Sequence, residues 1–273
     1  MKVMRIIRII LYSAIITVLL LALCSCQTDL QKLYKNVSPA VVWIGAELGP
    51  NDYEYYKDYE LYKRGIKWQG TGFIISSDGL IATAGHMVEN TETFQLRFND
   101  GRRGKARFAY MEDSDICDAG FIQITWIQQK GFHILEWLKP RLIVDLIWNN
   151  ILPEEPIKNL PHVNLTDKIN IAEEVAIIGY PWGLQKGLTI TQGIVSALDR
   201  NIPFFGEKFM LHSDIASWPG NSGSAVFNMD GDVVGILVGG LYNCDNYSLC
   251  TPAKIVQAVL AKYEAQKALE ELK

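Results

Sequence analysis

Short apolar runs separated by tight-turn signals dominate the chain from Gly70 onward. Asp-Gly pairs occur at Asp78–Gly79, Asp100–Gly101 and Asp230–Gly231. This dipeptide favours two-residue hairpin turns, because both of its positions tolerate a positive φ. Many short strands joined by tight turns are typical of an all-β barrel or sandwich. The pattern therefore predicts an all-β fold and leaves open whether its sheets close into barrels or pack as a sandwich.

Three segments in the order histidine, aspartate, serine carry the residue types of nucleophilic catalysis. His86 ends one apolar run, Asp118 begins another, and Ser222 lies in a turn with glycines at positions 220 and 223. A serine hydroxyl is activated by an imidazole that accepts its proton, and the imidazole needs a carboxylate that fixes its tautomer. We therefore predict His86 as the general base, Asp118 as the acid that orients it and Ser222 as the nucleophile. A glycine-rich turn without chemistry is the alternative reading of the Ser222 segment.

The motifs around these residues are similar to those of the HtrA/Deg serine proteases. The run Gly70–His86 resembles the stretch that leads to the catalytic histidine of that family. Residues 178–183 and 191–197 are similar to the family motifs IGNPFG and TSGIVSA. Residues 219–226, PGNSGSAV, match its nucleophile turn, with Ser224 where the family usually has glycine. The chain order His, Asp, Ser is also that of chymotrypsin-like enzymes.

The resemblance covers about residues 33–251 and implies an all-β, chymotrypsin-like double β-barrel with the active site in the cleft between the barrels. It implies a serine endopeptidase that uses no cofactor and no metal and acts on protein or peptide substrates, with unfolded or damaged envelope proteins as the expected class. Homo-oligomers are compatible with it. In the family frame the acid directly precedes an apolar strand, which favours Asp118 over Asp115. The alternatives are a catalytically idle protease fold that binds peptides or partners, and a narrow processing protease.

The nucleophile turn and its neighbouring strands are expected to form the substrate site. The backbone N–H groups of Gly220 and Ser222 are predicted to form the oxyanion hole. In the related fold the primary pocket is lined by residues just before the serine and by the strand after it. This implies pocket positions at Ala216, Gly235, Leu237 and Gly239. No acidic residue stands at the pocket base, which we align with Ala216, so we expect cleavage after an uncharged, small or medium apolar residue.

The N-terminus has the layout of a secretory signal. Lys2, Arg5 and Arg8 precede an apolar run over residues 9–23, followed by Cys-Ser-Cys. This end resembles a bacterial lipobox, which implies removal of residues 1–25 and lipidation of Cys26 as the mature N-terminus. An uncleaved anchor is the alternative, because the run is only slightly shorter than the ~20 residues that span a bilayer. Both readings put the catalytic part outside the cytoplasm, tethered to a membrane. The lipid would hold it on the outside of the cytoplasmic membrane or at the outer membrane, facing the periplasm if the cell is Gram-negative.

The rest of the chain divides into three parts. Residues 26–48 form a tether with the first helix and strand, residues 49–257 the protease domain, and residues 258–273 a C-terminal helix. An apolar insertion over about residues 126–160 interrupts the resemblance. We expect this insertion to pack on the protein itself, the alternative being a face for a membrane or a partner. We expect no PDZ domain of the kind that many HtrA proteins carry after the protease.

Cysteine spacing and net charge narrow the remaining possibilities. Cys244 and Cys250 bracket a short loop, and in an exported protein a disulfide there and two free thiols are both plausible. Cys117 is expected to pack rather than react. A net charge of −4, without a basic helix or zinc-type cysteine spacing, gives no support for nucleic-acid binding or a metal site.

Overall fold

The computed structural model describes residues 28–48, 65–112, 117–130, 154–183, 187–202, 208–240, 244 and 246–272. The signal segment with Cys26, residues 131–153 of the apolar insertion and the loop over residues 49–64 lie outside the described residues. The chain divides into two compact units, Met1–Lys32 and Leu33–Lys273, and all the strands described below belong to the second. No helix among the described residues has the length and apolar character needed to cross a membrane.

The described residues form two helices and twelve strands, together with three single-turn 3-10 helices. The elements before the middle of the chain are α1 (Asp29–Val37), β1 (Val41–Glu47), β2 (Ile66–Ile74), β3 (Leu80–Thr83), β4 (Thr93–Phe98), β5 (Arg103–Met111) and β6 (Gly120–Ile127). Those after it are β7 (Glu174–Gly179), β8 (Thr189–Ile202), β9 (Lys208–Ser213), β10 (Ala225–Asn228), β11 (Val233–Gly240), β12 (Ser248–Pro252) and α2 (Ala253–Glu271).

The strands close into two antiparallel barrels of six strands each. The first barrel has the order β1-β2-β3-β6-β5-β4, and β1 closes it by pairing with both β2 and β4. The second has the order β10-β11-β12-β9-β8-β7, closed by β7 on β8 and β10. The predicted all-β fold is thus confirmed, and its sheets close into barrels and do not form a sandwich.

The three Asp-Gly pairs take the turn positions that the sequence predicts. Gly79, Gly101 and Gly231 have φ values of 90°, 86° and 95°, and they connect β2 to β3, β4 to β5 and β10 to β11. A positive φ is open to glycine because it lacks a Cβ. These turns fix the register of three hairpins, two in the first barrel and one in the second.

Apolar side chains fill both barrels. In β4, Phe94, Leu96 and Phe98 are buried and alternate with half-buried polar residues, which is the period of a strand with one face on a core. The core of the second barrel is one buried cluster of residues: Val175, Ile177, Val195, Leu211, Ile215, Val226, Val234, Leu237 and Cys250. Burial of each large aliphatic side chain contributes roughly 1.5–3 kcal/mol.

The C-terminal helix α2 connects the second barrel with the first. The helix begins directly after β12, and its residues Val256 and Val259 are buried. Further along, the Tyr263 ring lies 6.0 Å from the Tyr110 ring and 6.1 Å from the Phe121 ring, both on strands of the first barrel. Aromatic pairs at these separations add to the stabilisation from buried area. The helix therefore stabilises the relative placement of the two barrels.

The disulfide considered between Cys244 and Cys250 is not formed. Both cysteines are free; Cys250 is fully buried in the second barrel, whereas Cys244 is exposed. The apolar surroundings raise the pKa of the Cys250 thiol well above its usual range, which disfavours the reactive thiolate. Cys117 is buried as well, as its position beside an apolar strand led us to expect.

A half-buried histidine in the second barrel, His212, predicts sensitivity to acid. His212 stacks on Tyr247 with 3.8 Å between ring centroids, and its Nε2 has no hydrogen-bond partner among the described residues. Burial, and then the positive charge of Arg200, lower the pKa of His212, so the folded state keeps the ring neutral. In the unfolded chain the His212 imidazole has a pKa of about 6.5 and binds the proton more readily. Stability from this site is therefore present above about pH 6.5 and is lost as the pH falls below it.

We expect the melting temperature of the wild type to fall between pH 7.5 and pH 5.5, and this fall to be smaller in His212→Gln. Thermal melts at both pH values measure it. His162→Gln, at an exposed histidine, is the control and should keep the wild-type difference. An identical pH dependence in wild type and His212→Gln would show that the His212 proton does not control acid stability.

Candidate active site

His86 and Asp118 meet at one end of the first barrel. His86 lies in the 3-10 turn Gly85–Met87 that follows β3, and Asp118 precedes β6, which pairs with β3. The ring Nδ1 of His86 is 2.7 Å from Oδ2 of Asp118, and the backbone N–H of His86 donates to Oδ1 at 2.8 Å. Nδ1 therefore carries the proton, and Nε2 keeps its lone pair as an acceptor.

The immediate neighbours of His86 hold its turn in place. A Cβ at Gly85 would come within 3.0 Å of Oδ1 of Asp118, so a side chain there would crowd the carboxylate. The indole Nε1 of Trp68 on β2 donates to the carbonyl of Met87 at 3.1 Å. The side chain of Asp118 is 14% exposed and that of His86 is 42% exposed. The carboxylate is thus shielded while the ring remains accessible to solvent.

The nucleophile turn around Ser222 has a backbone that only glycine adopts readily at two positions. Gly220 and Gly223 have φ values of 95° and 85°. A Cβ at Gly223 would come within 2.1 Å of both the Thr71 carbonyl oxygen and the Thr83 Oγ1, and within 3.1 Å of the Ala84 nitrogen. Because Thr83 lies three residues and Ala84 two residues before His86, the serine turn packs directly against the segment that presents the histidine.

Thr71 on β2 binds the nucleophile turn through several of its atoms. Its N–H donates to the Ser222 carbonyl at 2.9 Å, and its Oγ1 donates to the Gly220 carbonyl at 3.0 Å. Oγ1 also accepts the Tyr180 N–H at 3.0 Å, and the Thr71 carbonyl accepts from Thr83 Oγ1 at 2.8 Å. This fully buried residue therefore ties together the turn, the segment before His86 and the end of β7.

The predicted oxyanion donors have no hydrogen-bond partner within the part of the chain that the structure describes. Among the hydrogen bonds between described residues, none uses the N–H of Gly220 or of Ser222. The neighbouring N–H groups are engaged instead: that of Asn221 donates to the Trp218 carbonyl at 3.0 Å, and that of Gly223 to the Leu237 carbonyl at 2.7 Å. Two unengaged donors two residues apart in one turn are the arrangement needed to bind a developing oxyanion.

The proposed pocket positions have different surroundings. Ala216 is half-buried, and its carbonyl accepts from Thr191 Oγ1 at 3.1 Å. Gly235 pairs with Pro252, and a Cβ there would come within 3.0 Å of the Thr251 carbonyl oxygen. Gly239 is half-buried near the end of β11. These three positions remain candidates for a pocket.

The assignment of Leu237 to a pocket wall is wrong for its side chain. Leu237 is 2% exposed and belongs to the core cluster of the second barrel, where burial of an aliphatic side chain is most favourable. Its backbone contacts the nucleophile turn instead: its N–H donates to the Ser224 carbonyl at 2.9 Å, and its carbonyl accepts from Gly223. Leu237 therefore stabilises the nucleophile turn through two backbone hydrogen bonds.

Ser248 on β12 was not singled out from the sequence, yet it holds the segment before the nucleophile. Its buried Oγ donates to the Ile215 carbonyl at 2.8 Å and lies 2.8 Å from Ser217 Oγ. Ser224, which replaces the usual family glycine, is fully buried, and its Oγ has no hydrogen-bond partner among the described residues. A Cβ at Gly179 would come within 2.1 Å of that oxygen, so Gly179 provides the space for the extra hydroxymethyl group.

Thr251 forms a hydrogen bond between the barrels at Asp118, the predicted catalytic acid. Its Oγ1 on β12 donates to the Asp118 backbone carbonyl at 3.0 Å, and the residue is buried. Thr251→Val keeps the shape but leaves that carbonyl without its donor, which costs about 1 kcal/mol of stability. Because Asp118 is then held less firmly against His86, we expect kcat to fall about ten-fold with little change in KM. Peptide kinetics measure both constants.

Thr125→Val is the matched control for this prediction. Thr125 also donates from Oγ1 to a backbone carbonyl, that of Lys105 at 3.4 Å, but this bond lies within the first barrel. We expect Thr125→Val to retain the wild-type kcat. A Thr251→Val enzyme that loses stability and keeps its full kcat would show that the bond is structural only.

Residues 70–236 match the family model described as the trypsin-like peptidase domain, so the chain belongs to that family. Its relatives are of the DegP type, which confirms the HtrA/Deg resemblance of the motifs. A "Probable periplasmic serine endoprotease DegP-like" of Halomonas elongata is 31% identical over 61% of this chain and 28% of its own length. A protein of the same name from Marinomonas sp. is 29% identical over 76% of this chain and 43% of its own. The chain thus spans less than half the length of these curated relatives.

The fold has a counterpart among solved structures. The crystal structure of the serine endoprotease from Yersinia pestis superimposes with a TM-score of 0.62 and 21% sequence identity, covering 88% of this chain and 68% of that one. At this identity the likeness concerns the fold, which is the double barrel with its cleft.

Proposed function

We propose that the protein is a serine endopeptidase in which Ser222 is the nucleophile, His86 the general base and Asp118 the acid that orients it. The observation that carries the proposal is the contact of His86 with Asp118, in which one carboxylate accepts both the ring and the backbone N–H of the histidine. The family membership and the turn at Ser222, with its two unengaged N–H groups, support it.

The reaction would proceed through an acyl-enzyme. Ser222 Oγ attacks the scissile carbonyl carbon while its proton passes to Nε2 of His86, and Asp118 stabilises the imidazolium that forms. The N–H groups of Gly220 and Ser222 bind the oxyanion of the tetrahedral intermediate. His86 then donates its proton to the leaving amine, and water repeats the sequence to release the acid. No cofactor or metal takes part in these steps.

The substrates that we propose are unfolded or damaged proteins of the cell envelope, bound in extended form. The relatives named as periplasmic endoproteases support an exported location, and the N-terminal sequence supports attachment to a membrane through lipidated Cys26. Candidates for the pocket before the scissile bond are Ala216, Gly235 and Gly239. These positions carry no charge, so small or medium apolar residues are the preferred side chains at that position of the substrate.

The test compares the wild-type chain with Ser222→Ala, each treated with a fluorophosphonate probe and then with unfolded casein. We expect labelling and cleavage by the wild type and neither by the variant. Matching thermal melts establish that the alanine variant is folded. A folded wild type that is neither labelled nor active would contradict the proposal and favour a protease fold that binds peptides without cleaving them.

A further inference from the structure

Two tryptophans beside the nucleophile turn expose much of their surface. Trp182 is 62% exposed and Trp218 is 42% exposed, whereas Trp43 and Trp126 are buried in the first barrel. An indole left in water forgoes the favourable burial of a large apolar surface, and exposed apolar patches commonly mark binding sites. The two exposed indoles are therefore candidates for a binding site.

The backbone of Trp182 adopts a conformation that is unfavourable for a bulky residue. Its φ is 55°, in the left-handed region, and Gly183 follows with a φ of 66°. Such conformations persist only where the surroundings hold them, and they concentrate at functional sites. Here the Trp182 N–H donates to the Pro219 carbonyl at 2.6 Å, which fixes the residue to the nucleophile turn.

Trp218 belongs to the nucleophile turn itself. It directly precedes Pro219, and its carbonyl accepts the Asn221 N–H at 3.0 Å. A Cβ at Gly220 would come within 2.8 Å of the Trp182 nitrogen, so the two tryptophan-bearing segments are in contact across this turn. The indoles thus belong to neighbouring backbone segments: Trp218 lies two residues before the proposed oxyanion donor Gly220, and the Trp182 backbone packs against that glycine.

A strand of the first barrel packs against the segment that carries Trp182. A Cβ at Gly183 would come within 2.1 Å of Nε2 of Gln69, a residue of β2. The next residues of β2 follow the nucleophile turn, because the Thr71 N–H donates to the Ser222 carbonyl. The Trp182 segment therefore lies against β2 and the nucleophile turn, whereas the positions proposed for the pocket before the scissile bond are residue 216 and glycines of β11.

We propose that Trp182 and Trp218 form an aromatic subsite that binds a large apolar side chain of the substrate on the leaving-group side, within two residues of the scissile bond. This inference rests on the proposed peptidase function and specifies its substrate class. Large apolar side chains are mostly buried in folded proteins and become accessible on unfolding. A subsite of this kind selects unfolded polypeptide at the cleavage step.

The experiment uses the full chain in detergent micelles and pairs of peptides that differ only by Phe or Ala at one position, from three residues before the scissile bond to three after it. The wild type should favour Phe about ten-fold in kcat/KM at the first or second leaving-group position. Trp182→Asn, which suits a positive φ, should reduce this preference to about two-fold, and Trp218→Gln should reduce it partly. Phe108→Ser, at a 45% exposed aromatic residue of β5, should keep it.

The results separate this inference from the function on which it rests. Fluorophosphonate labelling of Ser222 without any Phe preference, or a preference that both tryptophan variants retain, overturns the subsite and leaves the peptidase standing. A preference confined to positions before the scissile bond also overturns it. Absence of both labelling and cleavage overturns the peptidase and the subsite together. Binding to anionic lipid vesicles that the tryptophan variants lose, with peptide selectivity unchanged, assigns the indoles to a membrane and overturns the subsite.

Discussion

An Asp118→Asn enzyme is expected to cleave peptides about 10⁴-fold more slowly than the wild type while remaining folded. In the wild type the carboxylate accepts the Nδ1–H and the backbone N–H of His86, at 2.7 Å and 2.8 Å. A carboxamide that keeps the backbone bond turns its NH₂ group toward the ring and stabilises the tautomer with the proton on Nε2. That ring can no longer accept the Ser222 proton. Steady-state kinetics measure the loss, and thermal melts establish that the variant is folded.

Asp115→Asn is the control, because Asp115 is the other acid that the sequence offers for this role. It lies outside the described residues, three positions before Asp118. We expect its variant to keep wild-type kinetics. If Asp115→Asn loses activity while Asp118→Asn keeps it, the catalytic acid is Asp115 and our assignment is wrong.

The features of this fold that could be predicted from the sequence are those encoded by adjacent residues. The Asp-Gly turns are an example, since the need for a positive φ at Gly79 or Gly101 is a local property of the backbone. The glycines around Ser222 are another, because both take the left-handed conformation that a tight turn requires. Short motifs of this kind carry their own physical reason.

The supports of the site could not be predicted, because they join residues far apart in the chain. Thr71 reaches the Gly220 carbonyl across 149 positions, and Thr251 reaches the Asp118 carbonyl across 133. A threonine inside a strand gives no sign of which backbone carbonyl its hydroxyl will bind. The same limit explains Leu237: the sequence placed it on the strand after the nucleophile turn but did not reveal that its side chain packs in the core.

The Cys244 and Cys250 pair, for which the sequence left a disulfide and two free thiols both open, shows a related limit. Their spacing fits a short disulfide loop, yet the loop does not determine which face of β12 the second sulfur occupies. The strand places Cys250 among the buried core residues of the second barrel, while Cys244 lies at the surface. Spacing alone states a distance along the chain, whereas a disulfide depends on the direction of both Cα–Cβ bonds.

Gly223→Ala should slow catalysis strongly through the packing of the turn, and Gly101→Ala provides a control with nearly the same φ. The two glycines have φ values of 85° and 86°. A Cβ at Gly223 would lie 2.1 Å from the Thr71 carbonyl oxygen, whereas a Cβ at Gly101 meets no atom of the described residues within 4 Å. Each substitution therefore costs about 1–2 kcal/mol in backbone strain. Only Gly223→Ala adds a steric clash.

We therefore expect Gly101→Ala to lose about 1–2 kcal/mol of unfolding free energy and to keep its activity. Gly223→Ala should lose more and react with a fluorophosphonate at least ~100-fold more slowly, since the displaced turn carries both Ser222 and the oxyanion donors. Urea unfolding and labelling rates measure the two effects. If both variants behave alike, the turn has room for a side chain, and its close packing on β2 is not what holds the nucleophile in position.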